Sequence, residues 1–399
     1  MNSPALVQAD LASRWLGGTV VAASDESFGD KENLLTPGAP VFEPGRYGNR
    51  GEIVDGWETR RRRQGGHDWV IVRLGTAGII TGVTVDTSFF TGNYPEHCAV
   101  HACGHEGYPG ADELTGQAAD WSEIVPRSAL HGGRENVFAV TDARRFTHVR
   151  LSVYPDGGVA RLRVHGQVVP DPRGLEDLTV DLLSQIYGGA VVASSDDYFA
   201  AAAALNRPGE ARTMGEGWET RRRRDAGNDF VVFRLGFAGR IRRLVVDTSH
   251  FRYNAPESVA LYGGTADEIG TVLLPRSRVQ PDTRHEFAVR HAEPVAAIRL
   301  DTFPDGGLSR LRAIGSIDPA ARRLAGYRWF NALPAAQANS VLIDGGIPAD
   351  TAAAIAAGRP QLAGTFADPS QELLVQGGVD ASAALAVIVE GRHYTPRNA

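Results

Sequence analysis

At ~150 residues per domain, a chain of 399 residues has room for about two to three domains, and 43% hydrophobic with 22% charged residues excludes a disordered one. Forty-one basic residues against 47 acidic ones leave a net charge of −6, which excludes the basic footprint of a nucleic-acid partner; because Lys31 is the single lysine, runs of arginine reflect composition first. Two cysteines, Cys98 and Cys103, are too few for a disulfide framework or a four-thiolate zinc site.

From the N-terminus, Met1 to Trp15 lacks the basic-then-apolar order of a secretion signal. No run approaches the roughly 18 apolar residues of a membrane span, so a cytoplasmic chain without membrane contact is expected. The block Gly17–Asp25 then returns as Gly188–Asp196. Gly56-Trp57-Glu58-Thr59-Arg60 and three further arginines return as Gly217-Trp218-Glu219-Thr220-Arg221 and three more. Asp68–Gly75 matches Asp229–Gly236, Val85–Ser88 matches Val246–Ser249, and Arg150–Gly158 matches Arg299–Gly307. The offsets fall from 171 to 161 to 149 without a change in block order, so loops shortened on a retained scaffold. A repeat of this length is a whole domain and not a solenoid unit.

Within the first copy, Val70, Val72 and Leu74 share one strand face. A turn is predicted at Thr76-Ala77-Gly78, and Val83, Val85 and Thr87 share the next face with Asp86 opposite. Val149, Leu151 and Val153 alternate with polar residues, and Pro155-Asp156-Gly157-Gly158 predicts a hairpin into Leu162 and Val164. Pro170–Gly174 reads as a linker and Leu175 to Tyr187 as a short helical stretch. After Gly315, Ala352–Gly358 and Ala381–Val389 read as helix, broken by Pro334, Pro348 and Pro360. The expected class is all-β: two tandem homologous jelly-roll-like β-sandwich domains, residues 1–169 and 170–315, and a short, mainly helical tail, 316–399.

Gly-Trp-Glu-Thr-Arg has two readings. Its Glu and Arg can serve proton transfer and bidentate carboxylate binding, or a core Trp can be followed by a structural ion pair. Arg61 to Arg63 read as a solvated face. Asp86-Thr87-Ser88 and Asp247-Thr248-Ser249 end strands near Asn93 and Asn254, as a ligand-binding rim or as side-chain-satisfied turns. His97, Cys98, His101, Cys103 and His105 suggest a metal, but the second copy has Ser258, Val259, Tyr262 and Gly264 there, so no metal is assigned. His67 beside Asp68 is a better acid–base candidate, with Asn228 as its counterpart.

The blocks Ala23–Gly29, Asn49-Arg50-Gly51, Asp55–Arg61, Asp86–Asn93 and Tyr154–Gly158 strongly resemble the allantoicase (allantoate amidinohydrolase) family over about residues 15 to 315. The resemblance implies two tandem jelly-roll-like domains and conversion of allantoate and water to ureidoglycolate and urea in purine breakdown. Releasing intact urea requires breaking the bond from the central carbon to nitrogen. That chemistry calls for a carboxylate anchor, an acid, a base and amide-binding groups. The implied assignments are Glu58, His67 and Asp86 for proton transfer, and Arg60, Arg221, Thr87, Asn93 and Asp247 for binding. No cofactor and no metal are expected, allantoate is the expected partner, and a homo-oligomer is expected. The competing class is a non-catalytic carbohydrate or small-ligand module, which would present exposed aromatics where these copies repeat carboxylates and arginines. In the tail, Trp329–Pro334 and Ala357–Pro360 are similar to the opening of ureidoimidazoline decarboxylase. The 84 residues after Gly315 are too few for that enzyme and no His-Pro follows Pro360, so a remnant or docking segment is expected.

Overall fold

The computed structural model describes residues 8–116, 119–360 and 388. The first repeat contains β1 (Ala9–Asp10), β2 (Thr19–Ala23), a small ribbon of β3 (Tyr47–Gly48) and β4 (Gly51–Glu52), β5 (Trp57–Glu58), β6 (Asp68–Asp86) and β7 (His97–Cys103). It continues with the one-turn helix α1 (Ala111–Thr115), β8 (Ser122–Ala129), β9 (Glu135–Ala139), β10 (Arg145–Tyr154), β11 (Gly158–Val159) and β12 (Arg161–Val168). The 19-residue strand β6 organises all of it. Its first part pairs with β2 and β10, and β10 continues to β7 and β8, making a front layer. Its second part pairs with β12 and β9, and β12 with β1, making the back layer. The alternate residues Val70, Val72, Leu74, Val83 and Val85 face a core shared with Val149, Leu151, Val153, Leu162, Val164 and Trp57.

The second repeat follows the same plan. Its strands are β13 (Thr179–Asp181), β14 (Ala190–Ser194), β15 (Trp218–Glu219), β16 (Asp229–Asp247), β17 (Ser258–Gly264), β18 (Ile269–Arg278), β19 (Arg284–Ala288), β20 (Val295–Phe303), β21 (Gly307–Leu308) and β22 (Arg310–Ile317). Strand β16 takes the place of β6, with β14, β20, β17 and β18 in front and β19, β22 and β13 behind. Trp218, Phe233, Leu235, Leu244, Val246, Leu300 and Leu311 fill the second core. Two tandem β-domains are therefore present, as the repeated blocks require.

Three local expectations are corrected. Thr76-Ala77-Gly78 is not a turn, because β6 runs through it from one layer to the other. A side chain at Gly78 would come 2.3 Å from the Gln167 carbonyl oxygen, and one at Gly239 2.5 Å from that of Ser316, so glycine is what allows the crossing. The strands around Pro155–Gly158 do not form a hairpin: β10 and β12 lie on opposite layers, each paired with β6, and the turn residues carry the chain between layers. Leu175 to Tyr187 is not a helix but β13 followed by a 3-10 turn at Gln185–Tyr187.

Contacts divide the chain into two units. One holds Gln8–Val169 and Phe330–Val341; the other holds Pro170–Trp329 and the described residues from Leu342. The described tail is helical, with α2 (Pro319–Ala332), α3 (Ala335–Asp344) and α4 (Ala349–Ala357). Helix α4 covers the expected Ala352–Gly358 helix, whereas Ala381–Val389 lies outside the described residues apart from Ile388. Trp329 and Phe330 are buried. Among the described residues, no helix is long and apolar enough to cross a membrane.

Candidate functional site

The repeated blocks converge on one end of each sandwich. In the first repeat, β5 pairs with β11, placing Glu58 opposite Gly158 and Trp57 opposite Val159. Successive strand residues point to opposite faces, so Trp57 enters the core while Glu58 turns away from it. The indole of Trp57 donates to the Asp25 carbonyl at 2.7 Å, and that of Trp218 to the Asp196 carbonyl at 2.8 Å. Both tryptophans are fully buried. Gly158 packs flat on Phe90, where a Cβ would fall 2.0 Å from the ring; Gly307 does the same on Phe251 at 1.9 Å. The Asp-Gly-Gly turn is thus pressed onto the loop that carries Asn93.

That packing brings Glu58 and Asn93 together. The Gly158 amide donates to the Asn93 carbonyl at 2.8 Å, and the Asn93 side-chain amide donates to Glu58 Oε1 at 2.7 Å. The second repeat has the same pair, with Asn254 donating to Glu219 Oε1 at 2.6 Å. Burial raises the Glu58 carboxyl above its ordinary value, and the Asn93 hydrogen bond only partly offsets this. Glu58 is therefore a half-buried carboxyl whose proton affinity is increased, as proton transfer near neutrality requires.

Arg60 and Arg221 follow Glu58 and Glu219 by two residues, with their guanidinium groups in solvent. Arg60 Nε is 3.6 Å from Asp25 and its side chain 71% exposed, and Arg221 Nε is 3.1 Å from Asp196 with 64% exposure. The reading of these arginines as halves of buried structural pairs is thereby excluded. Burial alone would raise the Asp25 carboxyl, but hydrogen bonds from the Arg60 and Ser27 amides and the Ser27 hydroxyl outweigh it and lower the value.

Arg62, which the sequence places on a solvated face, does something else. Its amide donates to Asp156 at 2.7 Å and its guanidinium bonds the buried Asp68 at 2.6 Å; Arg223 repeats both contacts with Asp305 and Asp229, each at 2.8 Å. The signal was present in the equal spacing of six from Arg62 to Asp68 and from Arg223 to Asp229. Ser24 and Ser195, just past the ends of β2 and β14, complete the cradle, each bonding the buried aspartate at 3.0 Å.

His67 lies against the Tyr154 ring at 4.6 Å. Burial first, then the charges of Arg150 and Arg62, hold it below its ordinary value of 6.5, so it is neutral at pH 7. Asp86, Thr87 and Asp247 lie at the strand ends. Asp86 and Asp247 are buried and accept the amides of Ser88 and Ser249 at 2.8 and 2.9 Å. Thr87 Oγ1 is fully buried between the His131 and Arg134 carbonyls. Each of these contacts closes a local turn whose backbone would otherwise be unsatisfied.

The histidine and cysteine run of β7 splits between faces. Cys98 belongs to the core, while His97, His101 and Cys103 lie on the outer face. Burial pushes both thiols up to about 12. His97 and His101, four residues apart on a strand at ~3.3 Å per residue, are too distant to share one ion.

A family model described as Allantoicase repeat matches residues 9–169 and 180–318. A probable allantoicase of Nocardia farcinica is 48% identical over 310 residues, covering 77% of this chain and 94% of that protein. One of Streptomyces coelicolor is 44% identical over 335 residues, covering 80% and 89%. The crystal structure of allantoicase from Saccharomyces cerevisiae is similar with a TM-score of 0.68 and 34% identity over 78% of this chain and 93% of that one. A twice-occurring family repeat, relatives matched over nearly their whole length and a shared tandem fold together show that this chain belongs to the allantoicase family.

Proposed function

We propose that the chain converts allantoate and water to ureidoglycolate and urea, with the Glu58–Asn93 pair of the first repeat at the reacting centre. The observation that carries the site is a half-buried carboxyl of raised proton affinity bonded to a side-chain amide, with the exposed Arg60 two residues along the chain. In this reading the ureido nitrogen of one arm gives its proton to Glu58 as the other arm leaves. The bond from the central carbon to the departing nitrogen breaks, Glu58 passes that proton on to the departing urea, and the remaining arm becomes an acyl-imine. Water then adds to the central carbon and its proton returns through the same carboxyl, leaving ureidoglycolate. Asn93 holds a ureido carbonyl, Arg60 pairs with the substrate carboxylate and neutral His67 supplies the second proton-transfer group. Asp86, Thr87 and Asp247 position the loop carrying Asn93 or Asn254, and Arg221 stands at the corresponding place in the second repeat. The repeated polar residues are carboxylates and arginines suited to an acidic amide, which disfavours a carbohydrate module.

Incubating the purified protein with allantoate tests the reaction. Urea is expected without ammonia, whereas ammonia with carbon dioxide would mean attack on the ureido carbonyl and would overturn the reading. Arg60→Ala is expected to raise KM about tenfold or more with little change in Tm, because a charged hydrogen bond contributes about 1.5–3 kcal/mol and the side chain is exposed. An unchanged KM in both Arg60→Ala and Arg221→Ala would remove the arginines from substrate binding. We further propose a cytoplasmic homo-oligomer that binds no nucleic acid, on the acidic balance of the chain, its free cysteines and the exposed Tyr198, Phe199 and Tyr253.

A further inference from the structure

The two repeats differ in chemistry on the outer face of the front layer. In the second repeat both arginines of this face have hydrogen-bond acceptors. Arg299 Nε donates to Asp301 at 2.7 Å and lies over Phe230, while Arg276 Nε donates to Ser258 at 2.8 Å and lies over Phe303. Both arginines recur in the first repeat as Arg150 and Arg127, but both acceptors are gone. Ser152 stands where Asp301 does, and His97 where Ser258 does.

The loss leaves the two arginines without the acceptors that their counterparts have, over two small residues. Ser152 on β10 is opposite Trp69 on β6 and Ala99 on β7, and Ser152 and Ala99 are small and almost fully covered. Larger residues surround this floor. Arg127 lies over the Tyr154 ring at 4.5 Å, Arg150 over Trp121 at 5.1 Å, and His101 is paired across from Arg150. Arg150 Nε, His97 Nδ1 and His101 Nδ1 are buried without a hydrogen-bond partner. Glu123, paired across from His101, is exposed and forms no ion pair with either arginine among the described residues. A buried guanidinium N–H left unpaired beside a second arginine is costly, and a carboxylate relieves both costs at once.

We propose that the outer face of the first repeat is a binding site for a small carboxylate, held by Arg127 and Arg150 over Ser152 where the second repeat carries its own Asp301. His67, on the same Tyr154 ring, borders the site, and its low proton affinity reflects the field of Arg150, Arg62 and Arg127 after burial. The occupant is either a separate small carboxylate or the carboxylate end of allantoate, which would then be anchored here and not at Arg60, and one substitution distinguishes them.

Ser152→Asp supplies the carboxylate that the second repeat already accommodates, so it is expected to fold with unchanged or higher Tm while closing the site. Malonate binding to the full chain is measured by calorimetry, alongside KM and kcat for allantoate. A loss of malonate affinity of about tenfold or more is expected. If KM for allantoate rises by a similar factor, the substrate carboxylate occupies the site; if KM is unchanged, a separate carboxylate does. Arg150→Gln is the second variant, expected to weaken malonate without adding a charge. Malonate binding that is absent from the native chain, or unaltered in both variants, overturns the proposal. Because the calorimetric reading does not need turnover, it stands even if allantoate is not hydrolysed.

Discussion

Glu58→Gln is expected to lower kcat for allantoate by about 10²–10⁴-fold, the usual contribution of a positioned acid–base group. Glutamine keeps the shape and can still meet Asn93, so Tm should hardly move; removing a carboxyl that burial disfavours even relieves a cost. Glu219→Gln makes the matching change in the second repeat, where Asn254 donates to the same atom. If only Glu58→Gln abolishes turnover, the first repeat is the catalytic one; equal losses mean both copies act, and full activity in both variants removes these glutamates from the chemistry. The pH profile gives a second reading. A base must be ionised, and the folded carboxyl titrates above its ordinary 4.5, so kcat/KM should fall as pH is lowered through a limb above that value. The sign for stability is opposite. A raised folded value means Glu58 favours the fold below the unfolded value and loses that contribution as pH rises through the folded one.

Trp57→Ala and Trp218→Ala should each destabilise the chain by about 3–5 kcal/mol, measured by denaturant unfolding. Each indole is fully buried, and each donates to the carbonyl of the aspartate that caps the neighbouring arginine amide. The cavity therefore forms directly beneath Glu58 or Glu219, and any folded Trp57→Ala protein should also show reduced kcat. A loss below about 1 kcal/mol would mean that these tryptophans do not anchor the strand carrying the glutamate.

The sequence by itself determined the number of domains, their β character and the burial of the tryptophans. Two copies of one block order with different loop lengths admit only a duplicated domain, and alternating valines in each block show which face is inward. It also contained the Ser152–Asp301 contrast, visible when Arg150-Leu151-Ser152 is set beside Arg299-Leu300-Asp301. What it could not show was pairing. Pro155–Gly158 has the residues of a hairpin turn, yet the strands it joins lie on opposite layers, because the long β6 takes one partner from each. The same long-range pairing decided the chemistry. Asn93 reaches Glu58 because Gly158 holds the intervening turn on Phe90, and Arg62 leaves an apparently solvated run because a buried carboxylate six residues away attracts it. Asp86 and Thr87, close to Asn93 in sequence, are drawn inward to close a strand end. Local residue pattern specifies which side chains can turn inward, but which polar atoms are left free for a substrate depends on the partners that distant strands bring to them.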